Sequence, residues 1–248
     1  MDRDDFAALH KQGNLLILYN IWDAGSALAV LRAGAKAIAT GSASVAGAQG
    51  FEDGEGLPFE ALLTTVRQIH AVCDAPLSVD FETGFAEDIE GLSANARALV
   101  EAGAVGCNLE DRLLDSDALR DPSQQAERIG AVNEAGLFVN ARTDVFLGPL
   151  MRGDDPNRSD LVDAALKRAE VYEKAGAGCF FVPGLSDPEL IKAVCESANL
   201  PVNVMRLPGM VANTDLVRLG VSRISYGPGP WTEAMKAAEN AAREAFSD

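Results

Sequence analysis

Histidine is nearly absent from this chain, with only His10 and His70 among 248 residues. His10 lies in the charged N-terminal segment MDRDDFAALHKQG and His70 inside a helical stretch, so neither follows a strand-like run. A Ser/His/Asp arrangement and a His-Glu-x-x-His helix are therefore missing, and proton chemistry falls to carboxylates, water, tyrosine or a metal. Cysteine is scarce too. Cys73, Cys107, Cys179 and Cys195 show no Cys-x-x-Cys spacing, which removes a disulfide framework and a zinc site. Cys107 and Cys179 fall in apolar runs and read as buried thiols, a pattern that suits a reducing cytoplasm. No apolar run approaches the roughly 18 residues of a membrane span, and the N-terminal segment has no signal-peptide core. Positive charge is short: 21 Lys and Arg stand against 37 Asp and Glu, a net −16. That balance speaks against nucleic-acid or anionic-membrane partners.

What the chain does have is a regular alternation. Eight short apolar runs read as strands: 15–20, 35–40, 75–82, 105–111, 137–144, 178–184, 200–205 and 222–228. Between them lie stretches with apolar residues at three- and four-residue spacing, which predict helices. A last helix is expected over 231–246. Several helices close on glycine, at 34, 103, 136, 176 and 220, where a left-handed cap precedes the next strand. Alternation of this kind predicts a parallel sheet with right-handed crossovers. Eight units favour an α/β fold of the (β/α)8 TIM-barrel type. The doubly wound sheet is the runner-up, without the Gly-x-Gly-x-x-Gly that would support it. With no linker or low-complexity stretch, residues 1–248 read as one catalytic domain. Three connections, 41–57, 112–123 and 146–159, are longer than a simple turn requires and read as functional loops.

In such barrels the strand ends carry the chemistry. Here three ends are acidic or basic: VDFETG (79–84), NLED (108–111) and NARTD (140–144). Asp80 and Glu82 share one face of their strand by the period of two. With Glu110 and Asp111 on the next strand they supply hard oxygen for Mg²⁺, or Mn²⁺ as the alternative ion. The plainer alternative is a set of strand-end caps and ion pairs. Arg142 suits a substrate carboxylate; its alternative is a structural ion pair with Asp144 or Glu110. Gly41, Ser42 and Ala43 open the first long loop and can offer backbone N–H groups to a carboxylate or enolate oxygen. The alternative there is a flexible linker.

From LYNIWDAGSA to SYGP the sequence resembles the isocitrate lyase/phosphoenolpyruvate mutase superfamily. YNIWDAGSALAVLRAGAKAIATGSASVA is similar to that family's opening, and DFETGF, NLED and ARTD stand where it has its strand-end motifs. The resemblance implies Asp80 as a metal ligand, with Glu82 and Glu110 beside it. It puts Arg142 on the substrate carboxylate and Asp53, in the EDGE segment, on a mobile loop. It also implies Tyr19 and Asn203 as substrate contacts, and a homodimer or homotetramer, often with the last helix exchanged between subunits; the alternative is a last helix that covers its own eighth strand. Trp231 and the GPGP run at 227–230 would form an extended hinge for that exchange.

The departures from the family bear on the reaction. Isocitrate and methylisocitrate lyases carry Lys-x-Cys-Gly-His after the Glu-Asp strand, whereas this chain reads RLLDSDALRD. A true isocitrate lyase is therefore not expected. What remains implied is a Mg²⁺-dependent lyase that cleaves a C–C bond of a small 2-oxo acid through an enolate, as an oxaloacetate decarboxylase does. The alternatives are a P–C mutase or hydrolase and a 2-oxo-acid binding protein without turnover.

Overall fold

The computed structural model describes residues 2–114, 116 and 118–247. Its strands are β1 (Leu16–Leu18), β2 (Ile38–Ala39), β3 (Leu77–Asp80), β4 (Gly106–Glu110), β5 (Phe138–Arg142), β6 (Cys179–Phe181), β7 (Val202–Met205) and β8 (Val221–Ser225). The helices are α1 (Arg3–Ala7), α2 (Ala24–Arg32), α3 (Ser42–Ala48), α4 (Phe59–His70), α5 (Ile89–Glu101), α6 (Pro122–Glu134), α7 (Leu147–Arg152), α8 (Ser159–Lys174), α9 (Pro188–Ser197), α10 (Asn213–Arg218) and α11 (Gly229–Ala245). All strand pairs are parallel, in the order β1-β8-β7-β6-β5-β4-β3-β2. A parallel bridge, Ile21 to Thr40, closes the ring between β1 and β2. There the Ile21 N–H donates to the Ala39 carbonyl at 2.8 Å and the Gly41 N–H to the Ile21 carbonyl at 3.2 Å. This is the expected (β/α)8 barrel.

Two apolar cores hold it. The larger lies between sheet and helices, with Val79, Leu109, Val139, Phe180, Val204 and Ile224 on the sheet side. The smaller gathers Phe6, Leu16, Leu18, Ala37, Ala39, Phe138 and Cys179. Phe6 of α1 reaches the sheet because β4 begins with glycine: a Cβ on Gly106 would stand 2.8 Å from the Phe6 ring. His10 stacks on Phe138, with ring centroids 4.4 Å apart. Aromatic packing therefore fills the end where β4 and β5 begin, and the polar chemistry collects where the strands finish. Helix ends follow the glycine pattern. Gly103 has φ +108°, and a Cβ there would strike the His70 ring at 2.3 Å, so no other residue fits that turn.

The structure departs from the sequence reading in three places. The strands are shorter than their apolar runs: β2 and β7 begin later than their runs, and β3, β5, β6 and β8 end before theirs. Two long loops contain helices, α3 and α7, where irregular chain was expected. Gly41 is the N-cap residue of α3, and the small side chains after it accept helical geometry. The GPGP run is not an extended hinge: Pro228 has φ −76° and ψ −9°, and α11 begins at Gly229 with Pro230 in its first turn. Proline suits that position because its missing N–H needs no partner there. Helix α11 otherwise lies open, with Pro230 its only buried residue. Among the described residues no helix is long and apolar enough to cross a membrane.

Candidate active site

A cavity of about 740 Å³ opens at the strand ends, and Gly41, Ser42, Ala43, Asp53, Glu82, Glu110 and Arg142 all line it. Below it a polar layer ties the strands together. The Asn140 Nδ2 donates to Asn108 Oδ1 at 2.7 Å, and the Arg223 Nη2 donates to the same oxygen at 3.1 Å. Asn108 Nδ2 then donates to Asp80 Oδ1 at 3.3 Å. The other Asp80 oxygen accepts the Ser42 N–H at 3.0 Å. Asp80 is thus oriented from below by β4 and from the side by the start of α3. The Ser42 N–H is spent on Asp80 and the Gly41 N–H on Ile21. Of the three expected backbone donors only Ala43 remains, in the first turn of a helix where N–H groups have no intrahelical acceptor.

Glu82 lies beyond β3 with φ +49° and is buried. Its Oε2 accepts the Glu55 N–H at 2.8 Å. Burial, with the charges of Asp80, Asp53 and Glu110, pushes its carboxyl up to about 8. Burial also holds Glu110 above the ordinary carboxylate range, against the opposing pull of Arg142. The cavity lining sets Asp53, Glu82, Glu110 and Asp144 against Arg112, Arg142 and Arg152, and Asp80 adds its charge beside Glu82.

Arg142 is held as an ion pair. Its Nε and Nη2 meet the two oxygens of Asp144 at 2.6 and 2.8 Å, and its Nη1 meets Glu110 Oε2 at 2.6 Å. Both partners left open by the sequence are engaged, yet a guanidinium has five donors, and the side chain still lines the cavity.

Three expected residues sit elsewhere. Asn203 is fully buried below the cavity, donating from Nδ2 to Ser225 Oγ at 3.1 Å; Met205, two residues on, reaches the wall instead. Tyr19 turns toward α11, with its hydroxyl 3.3 Å from Glu233 and its ring beside Tyr226. Its neighbour Asn20 faces the cavity, because adjacent residues at a strand end point to opposite sides. The same alternation removes Asp111 from the acid set. Asp111 is fully buried and accepts from Arg168 at 3.0 Å and the Tyr172 hydroxyl at 2.8 Å.

Sequence reasoning passed over Arg112 and Glu55. Arg112 Nε stands 2.5 Å from Glu110 Oε1, and its Nη2 is 3.8 Å from Glu82 Oε2. The period of two from Glu110 would have placed it on the cavity side. Glu55 fastens the loop that carries Asp53: its Oε1 accepts from the Thr83 N–H at 3.0 Å, the Thr83 hydroxyl at 2.5 Å and the Phe85 N–H at 3.0 Å. No local pattern announces that contact.

Among the described residues no three His, Cys, Asp or Glu side chains converge into a ready-made metal cage. Mg²⁺ does not need one, since it is usually held by one or two carboxylates and keeps several waters. The donor set fits that mode. Asp80 is pre-oriented, and the charges of Asp80, Asp53 and Glu110, which add to burial in raising Glu82, are what a divalent cation would offset.

Comparison with known proteins agrees with this architecture. A family model described as phosphoenolpyruvate phosphomutase matches residues 6–246. The uncharacterized protein Rv1998c of Mycobacterium tuberculosis is 34% identical over 245 residues, 98% of this chain and 89% of the relative. The 2-methylisocitrate lyase of Escherichia coli is 29% identical over 204 residues, covering 79% of this chain and 66% of the lyase. Among solved structures, a candidate phosphonomutase from Burkholderia cenocepacia J2315 superposes with a TM-score of 0.92 at 42% identity, covering 98% of this chain and 99% of that one. The barrel, its strand-end motifs and these matches together place the chain in the phosphoenolpyruvate phosphomutase family.

Proposed function

We propose that this chain is a Mg²⁺-dependent lyase that cleaves a C–C bond next to the 2-oxo group of a small carboxylic acid, by decarboxylation or retro-aldol cleavage. One observation carries the reading: Asp53, Glu82, Glu110 and Asp144 line the cavity against Arg112, Arg142 and Arg152, and Asp80 stands oriented at the end of β3 beside them. Asp80 would hold the metal, with Glu82 and Glu110 beside it, and Mn²⁺ is the alternative ion. The bound metal would supply Lewis-acid charge at the 2-oxo oxygen. The chain's own groups do the rest. The donors that Arg142 has left orient the substrate carboxylate. The Ala43 N–H faces the oxygen that becomes anionic, where a fixed donor stabilises the developing charge. Asp53, exposed on the cavity rim, sits on the loop that shuts water from the enolate.

The segment Arg112–Asp121 holds no cysteine, lysine or histidine, so the isocitrate-lyase acid has no counterpart there. A second reading, P–C bond rearrangement or hydrolysis, is favoured by the 42% identity to the candidate phosphonomutase. Turnover of 2-oxo diacids and phosphonopyruvate with and without Mg²⁺ separates the two. Pyruvate with CO₂, or glyoxylate, supports C–C cleavage; phosphate release or phosphoenolpyruvate supports the second; binding without turnover leaves a 2-oxo-acid binding protein. Asp80→Ala should abolish Mg²⁺-dependent turnover with the fold intact, and unchanged Mg²⁺ affinity by calorimetry would remove Asp80 from the metal site. We place the protein in the cytoplasm as a homo-oligomer with one catalytic domain, in keeping with its acidic charge and the open face of α11.

A further inference from the structure

The cavity has two unlike sides. Asp53, Glu82, Glu110, Arg112 and Arg142 make one side polar. The other is mainly aliphatic and aromatic, built from four separate segments: Leu113 and Leu119 after β4, Leu147 and Met151 on α7 with Arg152 next to them, Phe181 ending β6 and Met205 ending β7. Single apolar residues at a surface need no explanation, but six converging on one concavity do. Met151 is 78% exposed, so the chain itself does not cover this lip. The volume, about 740 Å³, lies in the range of cavities that enclose ligands of drug size, roughly 300–1,000 Å³. A four-carbon diacid held at the polar side would leave the apolar side wet.

We propose that the substrate carries an aliphatic substituent of several carbons on the carbon next to its 2-oxo group, and that the Leu119–Leu147–Met151–Phe181–Met205 side receives it. The assignment rests on the 2-oxo-acid reading above and narrows its substrate class from unsubstituted diacids to alkylated ones. The polar side fixes the carboxylate end, and continuity of the two sides in one cavity fixes the direction in which the alkyl group points.

n-Alkylmalonates are stable diacids that probe this directly. Calorimetric titration with malonate and its methyl to hexyl derivatives, in Mg²⁺, should show Kd falling about three- to fourfold for each added methylene over at least three steps, the scale of a buried CH₂. Leu147→Gln should flatten that slope, and Met205→Gln serves if the first variant does not fold. Oxalate in Mg²⁺ tests the 2-oxo-acid reading separately. Oxalate and malonate that bind, with a flat alkyl series, overturn the proposal and leave the 2-oxo-acid reading standing. Long alkylmalonates that bind while oxalate does not support the apolar side and overturn that reading. No binding by any member overturns both.

Discussion

Replacing Glu55 by alanine should open one loop without unfolding the barrel. The Glu55 carboxylate accepts the N–H groups of Thr83 and Phe85 and the Thr83 hydroxyl, while its own N–H holds Glu82. Thr83 is buried, so its N–H would be left without an acceptor, at a cost of about 1–3 kcal/mol. The Phe85 N–H is less enclosed and would recover part of its loss from water. Against this stands strain that the clasp holds in place. Glu55, Glu82 and Phe85 have φ of +63°, +49° and +53°, each a left-handed conformation costing a non-glycine residue about 1–2 kcal/mol. Release of those turns offsets much of the loss, so the opening is local. Hydrogen exchange should accelerate in residues 50–57 and 82–86 while the strands stay protected, and urea unfolding should shift by about 1–2 kcal/mol. Glu55→Gly loses the same carboxylate but accepts positive φ freely, so it should be milder than Glu55→Ala by up to about 1 kcal/mol. Unchanged exchange in 50–57 after Glu55→Ala would refute the clasp.

Arg112→Gln removes the cation beside Glu110 and Glu82; Mg²⁺ should then bind several-fold more tightly by calorimetry, and weaker binding would mean that Arg112 helps to build the site. His10 is pushed down to about 3 by burial and by the charge of Arg223. Its neutral form therefore supports the fold above about pH 6.5, and that support drains as pH falls toward 3, by up to about 1.4 kcal/mol per unit. His10→Phe should flatten the dependence of the urea midpoint between pH 6.5 and 4.5, and identical slopes would clear His10. Helix α11 and its C-cap leave Met235 and Phe246 exposed, at 44% and 89%. Light scattering should report a dimer or tetramer, and a monomer of 26.1 kDa at micromolar concentration would reject both assembly and helix exchange.

Much of the barrel was legible because its rules are local. Apolar runs of the right length mark strands, and a glycine such as Gly103 marks a helix end by the one backbone conformation other residues resist. The acidic strand ends were legible for the same reason, and alternation refines them. Glu110 faces the cavity, so Asp111 cannot, and it pairs with Arg168 and Tyr172 behind the sheet. Asn20 faces the cavity, so Tyr19 turns away. Applied strictly, the period of two would also have brought in Arg112. The rest depended on how distant loops dock. Nothing in EDGE says that Glu55 will cap residues 83 and 85, since the contact exists only once loop 41–57 has folded across β3. The apolar side of the cavity is equally non-local: Leu119 and Leu147 come from two connections, and Phe181 and Met205 end two strands. In the function proposed above the strand ends do the chemistry and the apolar lining receives the substituent, so the part of the site least visible in sequence is the part that proposal makes responsible for specificity.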